Sequence, residues 1–276
     1  MKLIYLLICI SVFNIHASEL TDAIRSNDIS KVKKLIQTKV NLEEVEAGIT
    51  PLSLSVKENK NEITKLLLEA NANPNLRDEK FITPLMLAVC NQNSEIVKLL
   101  IKNNADINAN TQHETMLVKA TRCSNAEIVQ ILLDSGIDYE KRIRTKLISP
   151  RPVVEALKVK KFDIADVLLN FNFDINEGSY NGNLSPLCFF SQNGETEAVS
   201  YLIKKKANLN HLAQLNYTPL MFAATENRIE VVKLLIDAGA DVNIVSKDDN
   251  ESTALSLARE KKHEEIIKLL LNAKAK

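Results

Sequence analysis

The chain has 276 residues, 45% of them apolar, and its 35 basic and 35 acidic side chains balance to zero formal charge. That balance excludes the strong basic excess of a nucleic-acid binder. Only six glycines and no tryptophan suit helices packed through Leu, Ile, Val and Ala, and a stack of repeats counts as one unit however long it is.

In chain order, residues 1–17 read MKLIYLLICISVFNIHA. Lys2 supplies a short positive start, residues 3–13 form an apolar run of eleven, and Ala17 closes a cleavage site. A run of eleven residues falls short of the ~20 that a membrane-spanning helix needs. A helix capping the first repeat would be amphipathic, whereas this run is apolar all round. The segment is expected to be a signal peptide, leaving an exported chain, periplasmic or secreted, with no transmembrane segment after its removal. The short leader and the Lys-, Asn- and Ile-heavy usage lean towards a bacterial source.

A repeated unit follows, clearest at residues 216–249. Thr218 caps a helix that starts on Pro219, where the missing N–H loses no hydrogen bond. Leu220, Ala223 and Ala224 give that helix one apolar face, and a second stripe begins at Val231, Leu234 and Leu235. Gly239 then supplies the left-handed residue that closes a helix. Neither helix can bury its apolar face within the unit, so units must stack. Positions matching Thr218 are Thr50, Thr83, Thr115, Arg151, Ser185 and Thr253, with spacings of 33, 32, 36, 34, 33 and 35 residues along the chain. The Gly239 slot holds Asn71, Asn104, Gly136 and Asn172, and asparagine tolerates that backbone best after glycine. A less regular copy at 18–47 has Ala23, Leu35 and Ile36 in register.

The 33-residue spacing with Thr-Pro-Leu at residues 50–52, 83–85 and 218–220 resembles the ankyrin repeats. The resemblance covers everything from Ser18 onward. It implies an all-α ankyrin solenoid of about eight helix-turn-helix repeats with hairpin-like tips, near 18–47, 48–80, 81–112, 113–148, 149–182, 183–215, 216–250 and 251–276. The family's histidine is replaced by Ser53, Met86, Val118, Val154, Cys188, Met221 and Ser256. Phe190 stands where Ala88, Ala156 and Ala223 stand, so the fifth and sixth copies are expected to be the least regular.

The resemblance also implies a protein partner, met at the tips and along the concave face. The row just before each first helix is Ile49, Ile82, Glu114, Pro150, Leu184, Tyr217 and Ser252. Its apolar and aromatic members are expected to be partly exposed, the alternative being that they pack finger against finger. The tip at 139–146 is long and basic, and Arg151 replaces the capping threonine beyond it. With Lys158, Lys160 and Lys161 it suits an acidic partner, or it is a solvated loop. Ile49, Ile82, Tyr139, Arg142, Arg144, Arg151, Leu184 and Tyr217 are thus the candidate partner-binding residues.

Chemistry is sparse. His113, His211 and His263 are isolated, and no metal-ligand spacing, nucleophile elbow or phosphate loop occurs. Asp106, Asp138, Asp174 and Asp241 recur at one repeat position, which turn chemistry explains. A Cys188/His211 pair is the single nucleophile–base arrangement to consider, and Cys188 lies within an apolar helix face. No catalytic residue, cofactor or metal is expected. The sequons at Asn183, Asn216 and Asn250 include two that the repeat's tip grammar writes by itself. Cys90 and Cys123 end neighbouring first helices. They are either a disulfide or small core residues, and the 8–10 Å spacing of stacked helices favours the second. The reading is a non-enzymatic protein–protein interaction module, with a structural or chaperone-like envelope scaffold as the alternative.

Overall fold

The computed structural model describes residues 18–78, 80–111, 114–138, 151–177, 184–213, 216–247 and 251–275. The leader at 1–17 lies outside them, as do Asn183 and Asn250. Among the described residues the chain is all helical, with sixteen helices in eight pairs and no strand. Two compact units divide it, Met1–Pro150 and Arg151–Lys276, with four pairs in each. The first unit holds α1 (18–25), α2 (Ile29–Gln37), α3 (Pro51–Lys57), α4 (Asn61–Glu69), α5 (Pro84–Cys90), α6 (Ser94–Lys102), α7 (Met116–Cys123) and α8 (Ala126–Asp134). The second holds α9 (Pro152–Lys158), α10 (Phe162–Asn170), α11 (Pro186–Asn193), α12 (Thr196–Lys204), α13 (Pro219–Thr225), α14 (Ile229–Asp237), α15 (Ala254–Glu260) and α16 (Glu264–Asn272).

Helix starts are set by the hydroxyls that the repeat pattern singles out. Thr50, Thr83, Thr115, Ser185, Thr218 and Thr253 each accept a hydrogen bond from the backbone N–H three residues on. Thr83 is 2% exposed, so water cannot replace its oxygen once the side chain is shortened. Thr83→Ala is expected to destabilise the first unit by about 1 kcal/mol, read from denaturant melts. A loss within error would show that Thr83 is no cap. Arg151 makes no cap; it pairs with Glu177 instead.

Helix ends are set by residues in the left-handed region. Asn71, Asn104, Gly136, Asn172 and Gly239 all have positive φ, as does Asn216, two residues before its capping threonine. The turn between the helices of a pair uses Asn59, Gln92, Lys160, Gly194 and Asn227 in the same way. The fourth pair differs. Ser124 is extended there, and α7 runs to eight residues where α5 has seven. The sixth pair also has a first helix of eight residues, closed on Gly194. The irregularity expected of the fifth and sixth copies is present in both, as the missing cap at Arg151 and the longer α11, and the fourth copy shares it through α7, while α9 keeps the seven-residue length.

Each unit buries its own core between helix layers. In the first, Leu52, Val56, Ile63, Leu67, Leu85, Val89, Ile96 and Leu100 are at most 1% exposed. In the second, Ile164, Leu168, Phe190, Val199, Leu202, Val232 and Leu235 are fully buried. Burial of this kind supplies about 1.5–3 kcal/mol per large side chain, which is why the stack rather than the single pair is the stable object.

A ladder of polar bonds runs beside the core. Asp106, Asp174 and Asp241 each accept from the N–H two residues on, as Asx turns do. Asn75 Oδ1 then accepts from the Asp106 N–H at 2.7 Å, and Asn108 Oδ1 from the Asp138 N–H at 2.8 Å. In the second unit Asn176 and Asn210 reach the N–H groups of Asn208 and Asp241. Asp106, Asp174 and Asp241 are turn residues.

The favoured reading of Cys90 and Cys123 as separate core thiols is overturned. They form a disulfide, with Cα atoms 4.9 Å apart, and both residues are half-buried. Axis spacing misled because Cα atoms lie ~2.3 Å off the helix axis. Residues on facing sides of stacked helices therefore approach within bonding reach. The extra residue of α7 places Cys123 at its helix end, as Cys90 ends α5. Among the described residues Cys188 is the free cysteine, fully buried as expected.

Candidate functional site

The tips and the adjoining first-helix face carry the residues that the repeat leaves variable. In the first unit Ile49 and Ile82 are half-exposed. Each closes a short turn: Ile49 bridges Glu46, and the Ile82 N–H donates to the Asp78 carboxylate at 2.8 Å. In the second unit Leu184 is half-exposed, while Tyr217 is only 8% exposed. Partial exposure was expected of Tyr217, and its ring instead meets Phe222 of α13 edge-on at 5.5 Å. Finger-against-helix packing claims that side chain. Arg151 is half-buried, with its guanidinium on Glu177. Tyr139, Arg142 and Arg144 lie outside the described residues.

One position along each first helix faces the same way, four residues after the cap. Leu87 and Lys119 in the first unit, and Phe189 and Phe222 in the second, are half-exposed there, whereas Leu54, Glu155 and Leu257 at the same position are buried. The charges around them are engaged with one another. Glu114 meets Lys119 at 3.4 Å and Arg122 at 2.9 Å. Lys158 meets Glu155 at 3.0 Å and lies 4.9 Å over the Phe189 ring. Within each unit, half-exposed apolar groups beside paired charges can accept apolar side chains of another polypeptide. It provides no free base or nucleophile.

The Cys188/His211 pair shows why. The Cys188 thiol donates to the His211 backbone oxygen at 3.8 Å, not to the imidazole. Burial pushes the thiol up to about 11, so the nucleophilic thiolate is scarce at neutral pH. Among the described residues no group of His, Cys, Asp and Glu could hold a metal ion.

Sequence reasoning missed two features. Between α10 and α12 lies a shallow concavity of about 340 Å³, floored by Phe162 and Tyr201 with ring centres 5.1 Å apart. Asp166 and Ser200 stand there in the repeat slot that holds Lys65, Lys98, Lys233 and Lys268, and that substitution pattern was the available signal. Burial and the Asp166 carboxylate, which accepts the Tyr201 hydroxyl at 2.6 Å, both push the Tyr201 phenol up. The second feature is Phe81, an exposed aromatic at a tip, unremarkable in a linear reading because only its backbone angle sets it apart.

Comparison with known proteins agrees with this geometry. The family model described as ankyrin repeats (3 copies) matches residues 20–111, 71–143 and 153–246. The ankyrin repeat and KH domain-containing protein mask of Drosophila melanogaster is 40% identical over 99 residues, 36% of this chain and 2% of its own length. Alpha-latrocrustotoxin-Lt1a of Latrodectus tredecimguttatus is 32% identical over 136 residues, 49% of this chain and 9% of its own. The chain thus spans less than a tenth of either relative's length. The crystal structure of the human ASB11 ankyrin repeat domain matches with a TM-score of 0.64 at 26% identity, covering 82% of this chain and 98% of that one. The fold is a protein–protein interaction scaffold, typically without enzymatic activity. With the family model matched over most of its length, the chain belongs to the ankyrin-repeat family.

Proposed function

We propose that the chain is an exported, non-enzymatic module that binds one protein partner through its tips and first-helix face. The observation that carries this is the half-exposed apolar side chains there, Ile49 and Ile82 in the first unit and Leu184, Phe189 and Phe222 in the second, beside charges already paired. Apolar contact area with a charge-depleted centre is the composition of a binding patch. Export is supported by the leader sequence and by the Cys90–Cys123 bridge, since disulfides persist in oxidising compartments and are rare in the cytosol.

The chain, tagged at its C-terminus and expressed in its own cells, is expected to capture one protein saturably, identified by mass spectrometry. Its intact mass should lack residues 1–17. Weak retention of many unfolded envelope proteins would replace the module by a chaperone-like scaffold. Met1 retained on a soluble cytoplasmic species would remove export from the proposal.

A further inference from the structure

We infer that the tips of the second and third repeats recognise a basic polypeptide segment carrying bulky apolar residues, with Phe81 as the anchor. This rests on the protein-binding reading above and names the chemistry of the partner. Phe81 has φ 61°, in the region where an L-residue brings Cβ against its own backbone. Two residues before the cap, Gly48, Asn216 and Glu251 occupy the same position with φ 80°, 54° and 57°; glycine and asparagine suit it, and among these side chains only that of Phe81 is aromatic. Phe81 is the one aromatic among the described residues of positive φ. It is also 42% exposed, so packing does not repay the strain. A strained aromatic side chain left this exposed points to work done on another molecule.

Its neighbours fit one kind of partner. Val45, on the preceding tip, is 59% exposed, and Ile49 and Ile82 are half-exposed at the bases of the two tips. The tips are tied together by the Asn73 N–H, which donates to Glu43 at 2.8 Å. Glu43, Glu44, Glu46 and Asp78 outnumber Arg77 and Lys80 on these turns. An apolar surface set among carboxylates selects cations flanking apolar side chains, and it repels acidic segments.

The test titrates the full chain with a short synthetic peptide of Lys and Leu, and with its Glu and Leu counterpart of the same pattern. The Lys/Leu peptide should bind about tenfold tighter or more, and the margin should shrink with added salt. Phe81→Asn should weaken that binding about tenfold. Because asparagine suits the left-handed region, the same change should raise Tm by about 2–4 °C. Opposite signs in the two readings separate a recognition residue from a packing one. Glu44→Lys should erase the preference between peptides. Equal binding of both peptides, or undiminished affinity in Phe81→Asn, would overturn the inference. So would a fall in its Tm, or self-association of the chain that Phe81→Asn disperses. Undiminished capture of the cellular partner by Phe81→Asn removes this inference and leaves the protein-binding reading standing. A wild-type chain that captures no protein removes that reading itself.

Discussion

Removing the Cys90–Cys123 bridge is expected to destabilise the first unit by about 3–4 kcal/mol, the value the chain-entropy account assigns to a loop of this size. The two cysteines are 33 residues apart, one full repeat, so the bridge forbids the unfolded third and fourth repeats from separating. Cys90→Ser with Cys123→Ser avoids leaving one reactive thiol. Both positions are half-buried, so two serine hydroxyls can keep contact with water and add little penalty of their own. The check is a pair of denaturant melts, oxidised against reduced and wild type against double variant. The two differences should agree, with the slope for the oxidised form lower because its unfolded chain is less expanded. A difference below about 1 kcal/mol would mean that the unfolded chain retains enough structure to make the link redundant.

Phe190→Ala carries the other large effect, about 3–5 kcal/mol on the second unit. The substitution looks like a return to the repeat pattern, since Ala88, Ala156 and Ala223 fill this slot elsewhere. Local packing decides otherwise. Phe190 is fully buried and meets Phe189 edge to face at 5.1 Å. Its neighbours have settled around a ring, and shortening it opens a cavity that a stacked helix layer cannot close. Urea melts should show the midpoint falling with the slope unchanged. A stable Phe190→Ala chain would show that the helices of the sixth repeat slide together as they do around Ala223.

Much of this architecture is legible in the residues themselves. A hydroxyl before proline has one use at a helix start, and asparagine or glycine after an apolar stripe has one use at its end. Thr83 and Asn104 behave accordingly in space. What escaped reading depends on distances between units. The bridge turned on whether α7 ends one residue late, which follows from Ser124 being extended, and no local propensity dictates that. Tyr217 looked like a tip residue because its neighbours in the row are tip residues; its burial depends on Phe222, five positions on and on the adjoining helix. Phe81 was invisible for the reverse reason. Its type is ordinary, and only the φ imposed by the turn makes it notable.

The amide ladder has a kinetic meaning. The N–H of Asp106 is held by Asn75 of the preceding repeat, and that of Asp138 by Asn108. Neither proton is protected by its own repeat alone, so each exchanges with solvent when the neighbour peels away. In a stack whose units touch only adjacent units, opening starts at an end and travels inward. Asn73, whose N–H is held by Glu43, should then exchange as the first repeat detaches, and Asp106 only after the second follows. Hydrogen exchange at these three backbone positions would time the unzipping of the first unit, one repeat per proton.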